Sequence, residues 1–179
     1  MFGWEFPPYN SGGLGVACEG MSKALSASGV NLTFALPYKI PIKAGWCKFV
    51  FADEEVEFKT SKEVMNYVSG YTSHTSTKNT NQLINKISGM KGNSLMERVF
   101  LYAKKAPSIA AKSAHSIIHA HDWLTYPAGI EAKKFSKRPL VSHIHATEYD
   151  RSGETVNRDI FEIEKEGFHK SDMIVAVSG

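Results

Sequence analysis

The chain has 179 residues, 42% of them hydrophobic and 22% charged. That length fills one ordinary domain of about 100–200 residues, and the balance excludes a disordered, collagenous or coiled-coil protein. Its 21 basic and 18 acidic residues leave a formal charge of +3. The lysines (Lys104, Lys105, Lys133, Lys134, Lys137) are scattered and form no stripe interleaved with aromatics, so nucleic acid is not an expected partner. The longest apolar runs, residues 173–177 and 49–52, fall far short of the roughly 20 residues that span a bilayer. Residues 1–5 carry neither a basic segment nor an apolar one, so no signal peptide is expected. Cys18 and Cys47 do not make a disulfide framework or a zinc site, and a cytoplasmic location is expected.

Periodicity predicts strands alternating with helices. Residues 1–6 read as the tail of a strand. Residues 19–28, with Met21, Ala24 and Leu25 at helical spacing and Gly29 behind them, read as a helix. Residues 32–36 form a second strand closed by Pro37. Residues 49–59 suit a strand or hairpin, and a Ser-, Thr- and Asn-rich tract over 69–81 reads as a surface loop inside a polar insertion at about 39–93. Ser94 and Glu97 make a capping box for a helix to about residue 105, with a second piece after Pro107 up to 114. Then come a strand at 117–120, a helix at 126–135, a strand at 140–145, a helix at 156–168 and a strand at 173–177. Short strands that are apolar on both faces belong in a parallel sheet covered on two sides, so the expected fold is a single doubly wound, Rossmann-like α/β domain over 1–179. Both ends look cut, as in a domain taken from a larger protein.

Chemistry concentrates at three strand-to-helix turns. Between the first strand and the first helix, Gly12, Gly13 and Gly15 permit close backbone approach, and amides at a helix N-terminus suit a phosphate. The spacing is neither that of a dinucleotide fingerprint nor that of a P-loop. Five of the seven histidines lie between 115 and 145, with His119-Ala120-His121-Asp122-Trp123 ending one strand and His143-Ile144-His145 the next. Residues i and i+2 of a strand share a face, so each pair projects to one side. Two readings stand: metal ligation, as in a hydrolase, or neutral hydrogen-bond partners for hydroxyls from His121 and His145 while His119 and His143 pack inside. The segment from Ala146 to Gly153 reads as a polar loop suited to hydroxyl-rich ligands. No Gly-x-Ser-x-Gly elbow is present.

Taken in order, Trp4-Glu5-Phe6-Pro7-Pro8, Gly12-Gly13-Leu14-Gly15, His119-Ala120-His121-Asp122-Trp123, His145-Ala146-Thr147-Glu148 to Arg151-Ser152-Gly153, and residues 174–178 resemble the N-terminal domain of retaining glycosyltransferases of the glycogen and starch synthase type. The resemblance covers nearly the whole chain apart from 39–93. It implies the N-terminal, mainly acceptor-holding half of a two-domain GT-B fold whose C-terminal, donor-gripping half is absent here. By the same resemblance, Gly12, Gly13 and Gly15 approach the donor diphosphate and leaving sugar. His145 lies beside the transferred sugar as the catalytic residue, Asp122 and Trp123 shape the cleft floor, and Glu148 and Arg151 belong to the acceptor-side loop. It further implies a nucleotide sugar, with glucose the expected sugar, as substrate, a glucan or oligosaccharide acceptor, retention at the anomeric carbon, and no metal or other cofactor. Many glycogen synthases carry a lysine just before the paired glycines; this chain has Asn10-Ser11 there, which leaves the donor base open. The 179 residues alone are expected to fold and to be catalytically silent. The competing classes are a metal-dependent hydrolase built on the histidine pairs and a non-catalytic carbohydrate-binding domain.

Overall fold

The computed structural model describes residues 1–42, 44–54 and 94–177. The elements in chain order are α1 (Gly13–Ala27), β1 (Thr33–Leu36), β2 (Lys48–Phe51), a 3-10 turn (Ala52–Glu54), α2 (Leu95–Lys112), β3 (Ile118–His121), α3 (Tyr126–Ser136), β4 (Leu140–Ile144), α4 (Glu148–Ser152), α5 (Arg158–Lys170) and β5 (Met173–Ala176). β1 pairs with β2, β3 with β4 and β4 with β5, all parallel. Phe2 bridges Ala35 on one side and Ala120 on the other, also in parallel. Its amide donates to the His119 carbonyl at 2.7 Å, and the Gly3 amide donates to the Ala35 carbonyl at 3.0 Å. The opening residues therefore serve as the central strand. With them counted first, the spatial order is the 3-2-1-4-5-6 of a doubly wound α/β sheet, as the alternation of elements predicts.

The two faces of the sheet are covered differently. A Cβ at Gly129 of α3 would meet Ala120 and Leu140, so α3 sits on the face that those side chains share. α2 and α5 pack against α3 on that face, around a core of Phe2, Val99, Ala103, Ala106, Ile109, Ile118, Ile130 and Leu140. α1 lies on the opposite face over a smaller core of Phe6, Cys18, Phe34 and Leu36. Phe6 there meets Phe34 and Phe49 edge to face, at ring separations of 5.1 and 5.0 Å. Such pairs add about 0.5–1.5 kcal/mol each beyond burial.

Four sequence expectations meet a different outcome. Pro107 does not split its helix: α2 runs unbroken from Leu95 to Lys112 with Pro107 inside. Buried Val99, Ala103, Ala106, Ile109 and Ala110 lie on both sides of the proline, and packing of that continuous stripe offsets the lost backbone hydrogen bond. The segment after His145 is not all loop, because Thr147 and Asp150 cap each other reciprocally and start α4. α5 begins at Arg158 rather than 156, since the Asn157 side chain accepts from the amides of Asp159 and Ile160. α1 begins at Gly13 rather than 19, with Glu5 accepting the Gly15 amide in its first turn; Lys48–Phe51 is a parallel strand, one of the two readings of 49–59, and residues 55–59 and the 69–81 tract lie outside the described residues.

The tightest approach on the α3 side is Gly167 of α5, where a Cβ would stand 2.4 Å from Cδ2 of Tyr126. Tyr126 is 1% exposed and has nowhere to move. Gly167→Ala should therefore destabilise the protein by about 1–2 kcal/mol, the overpacking cost exceeding the gain of roughly 1 kcal/mol in helix propensity. Urea denaturation checks it; an unchanged or raised midpoint would show that the ring gives way.

Candidate functional site

The opening segment, β3 and β4 all run in the same direction, so their carboxyl ends share one edge of the sheet, where ligands of such folds bind. At this edge the chain turns into α1 through the glycine loop, and the loop already holds an anion of its own. The Glu5 carboxylate accepts from the Ser11 amide (2.8 Å), the Ser11 hydroxyl (2.8 Å) and the Gly15 amide (3.0 Å). Gly15 is buried, and a Cβ there would come within 2.6 Å of the Asn10 Cβ, so internal packing accounts for that glycine. Gly12 and Gly13 are different. Both are exposed and a Cβ on either would meet nothing within 4 Å, while Asn10 Nδ2 donates to the Gly12 carbonyl at 2.8 Å and Glu5 supplies an acceptor for the first turn of the helix.

The four strand-end histidines form a ladder on the α1 side. His121 stands opposite His143 in register. His119 Nε2 lies 3.2 Å from His143 Nδ1, and His121 Nδ1 lies 3.0 Å from His145 Nε2. The His143 and His145 rings stack 4.5 Å apart. Burial lowers the proton affinity of all four below the ordinary value of 6.5, to about 4 for His119 and well below 6.5 for His121. The ladder is thus neutral at physiological pH. Burial divides the histidines otherwise than expected: His143 is buried, but His119, expected inside, is partly exposed like His145, and His121, expected to be accessible, is fully buried. The reason is α1, whose Cys18 comes up against the end of β3. One ligand atom each from Cys18, His121 and His145 lie within 4.8 Å of one another, and the same holds for His119, His121 and His143.

Asp122 ties these ends together. It adopts φ 57°, a left-handed conformation that Asp tolerates better than most residues. Its Oδ1 accepts from the His145 amide at 2.7 Å, and the Ala146 amide also bonds the carboxylate. Its own amide donates to the His143 carbonyl at 2.9 Å. Burial raises the Asp122 pKa against the pull of those amides and of Arg151. The side chain therefore faces the backbone of the next turn, while Trp123 is 6% exposed and packed in the larger core.

Glu148 and Arg151 are brought together, with a partner that the sequence did not single out. The Glu148 carboxylate, 3% exposed, accepts from Ser152 Oγ (2.7 Å) and the Asn157 amide (3.0 Å). Those bonds and Arg151 hold its pKa below the usual range. Arg151 Nη2 donates to Glu164 at 2.7 Å and Nη1 to the Ala146 carbonyl at 2.5 Å. Glu164 Oε2 also accepts the Glu148 amide at 3.0 Å. Glu164 and Glu5 are the residues that sequence reasoning missed. Glu164 stands four residues after Ile160 and three before Gly167, an acid on the apolar stripe of its helix, which was the available signal. Glu5 gave none, since its partners come only from the folded loop.

A glycine loop at a helix N-terminus and polar turns at the ends of successive parallel strands gather at one edge of a doubly wound α/β sheet. Residues 1–177 match the family model described as the starch synthase catalytic domain. The chain belongs to that family, and so to glycosyltransferases of the glycogen synthase type. It is 24% identical over 184 residues to an uncharacterized glycosyltransferase of Methanocaldococcus jannaschii. It is 27% identical over 193 residues to a glycogen synthase of Mycobacterium tuberculosis. These alignments cover 99% of this chain but only 39% and 41% of the relatives, so the chain spans about two-fifths of their length. No helix among the described residues is long and apolar enough to cross a membrane.

Two outcomes follow from the site. Asp122→Ala removes the acceptor for two backbone amides and leaves alanine in a left-handed conformation, a loss of about 2–3 kcal/mol. Asp122→Asn tolerates the conformation, keeps a carbonyl oxygen and should lose clearly less; equal losses in urea denaturation would remove the role given to the carboxylate. For the ladder, folded-state pKa values below 6.5 mean that the unfolded chain binds more protons. The ladder's contribution to stability is thus complete above about pH 6.5 and is lost as pH falls, through about 4 for His119. Tm should drop between about pH 7.5 and about pH 5, and His119→Gln should flatten that slope. A slope unchanged in His119→Gln would assign the loss to other groups.

Proposed function

We propose that this chain is the acceptor-side domain of an enzyme that transfers a sugar, glucose in the first instance, from a nucleotide sugar to a glucan or oligosaccharide with retention. The donor diphosphate approaches the Gly12-Gly13 amides at the start of α1, Gly15 shapes that loop, and His145 stands beside the transferred sugar. The observation that carries this reading is the contrast within the glycine loop. Gly15 has an internal steric reason to be glycine, whereas Gly12 and Gly13 face open space and leave their backbone open to close approach by a ligand. The α1 N-terminus beside them favours negative charge.

The reaction needs no resident metal. The bond from the anomeric carbon to the diphosphate oxygen breaks through an oxocarbenium-like state. The acceptor hydroxyl oxygen bonds to that carbon from the same face, and its proton passes to the departing diphosphate oxygen. A neutral His145, as its lowered proton affinity makes it, adds no repulsive charge next to the cationic sugar and can hold a hydroxyl there. Asp122, Glu148 and Arg151 act on this chemistry by fixing the His145–Ala146 backbone, and Trp123 supports the turn from the core. A second domain supplies the remaining donor contacts and closes over the cleft to exclude water; the 179 residues alone are expected to be silent.

The test is incubation of the full-length protein with labelled uridine- or adenosine-diphosphate glucose and a maltooligosaccharide, with the product anomer read by NMR. Chain extension with an α-linkage is expected. No transfer from either donor, or an inverted product, would overturn the reading. His145→Ala should lower kcat on the order of 10²–10³-fold with acceptor KM little changed, because its partner charge exists mainly in the transition state; a raised KM at unchanged kcat would assign it to binding instead. Gly12→Ala and Gly13→Ala should hold stability within about 0.5 kcal/mol yet impair use of the donor. Full activity in both would remove the diphosphate from the loop.

A further inference from the structure

Cys18, His121 and His145 come from three separate elements and place one ligand atom each within 4.8 Å of the other two. An ion centred among them would lie no more than about 2.8 Å from each atom, and zinc–ligand bonds run roughly 2.0–2.3 Å, so shifts of at most about 0.5–0.8 Å close the site. The trio is built rather than superficial. Cys18 and His121 are both 0% exposed. His121 engages His145 through Nδ1, and its Nε2 is buried with no hydrogen-bond partner among the described residues. Leaving such a polar atom unmatched is unfavourable. In the tautomer that carries its hydrogen on Nδ1, toward His145, that Nε2 is a bare lone pair, available to a metal.

We propose that Cys18, His121 and His145 form a binding site for a transition-metal ion of zinc-like softness, and that an ion bound there withdraws His145 from sugar transfer. The consequence for transfer rests on the function proposed above; the binding does not. One thiolate and two imidazoles are a donor set typical of zinc, and the partly exposed His145 leaves a fourth position open to water or a ligand. On binding, the Cys18 S–H bond breaks, its proton goes to solvent and a metal–sulfur bond forms. Both imidazoles bind as the neutral species, and no oxidation state changes. The second trio, His119, His121 and His143, shares His121 but offers no sulfur, which makes the two sites spectroscopically distinct.

Cobalt(II) titration of the purified protein tests this. One equivalent should bind with a near-ultraviolet thiolate-to-cobalt charge-transfer band and visible bands of tetrahedral intensity, both bleached by zinc. Cys18→Ser should abolish the charge-transfer band and weaken binding by more than the roughly 10–100-fold that losing an outer-shell partner costs. His145→Ala, at the exposed side of the trio, should weaken it comparably, and Cys47→Ser should leave the band intact. Circular dichroism confirms that each variant is folded. Absence of saturable binding, a band that survives Cys18→Ser or vanishes with Cys47→Ser, or unchanged affinity in His145→Ala would overturn the site. Zinc should also inhibit transfer by the wild type at concentrations that spare Cys18→Ser; equal inhibition of both would overturn the consequence for His145. Cobalt binding is read without sugar, so a protein that binds cobalt and transfers nothing refutes the functional reading alone. One that transfers sugar and binds no cobalt refutes only the metal site.

Discussion

Everything at the candidate site depends on the carboxylate of Asp122. One residue in a left-handed conformation ends β3, receives the amides of His145 and Ala146, and offers its carbonyl to the Thr125 and Tyr126 amides that open α3. Its own amide returns a bond to the His143 carbonyl, so the ends of two adjacent strands are locked at both N–H and C=O. A loop held only by its own turns would sample many positions. Here the backbone of His145 is fixed to its neighbour strand by charge-assisted hydrogen bonds, which are about twice as strong as neutral ones.

A second set of charges holds the same stretch from behind. Arg151 grips the Ala146 carbonyl with one nitrogen and Glu164 with another, while Glu164 also takes the Glu148 amide. A partly exposed cation paired with two buried carboxylates contributes little net stability over apolar packing. Its effect is geometric: α4, α5 and the residues next to His145 share one set of hydrogen bonds. The histidine ladder shows the opposite solution to burial. Four imidazoles stacked against one another cannot all carry charge, and desolvation leaves them neutral. The ladder is therefore polar without being cationic.

The glycine loop shows how one motif divides its labour. Gly15 lets Asn10 and the Glu5 carboxylate close against α1, and in doing so the protein supplies its own anion to two of the loop's amides. Gly12 and Gly13 remain exposed at the helix start. An internal carboxylate thus sets the loop's shape from within the chain.

Much of this was legible in the chain itself. Alternating short apolar runs and helical stripes determined the doubly wound parallel sheet, because a strand apolar on both faces can only be buried between helices. Ser94 and Glu97 announced the start of α2, since a capping box is satisfied within one turn of chain. The period of two along each strand put the histidines of each pair on one face. Only the tertiary structure decided which of them stays accessible: α1, starting over a hundred residues earlier, covers His121 and leaves His145 partly open. The same holds for Pro107, tolerated because the stripe on both sides of it is buried. It holds too for Glu5 and Glu164, whose partners reach them only once loops and helices are in place. Local pattern reports what each segment can bury, but partners distant in sequence decide where a polar group is finally satisfied.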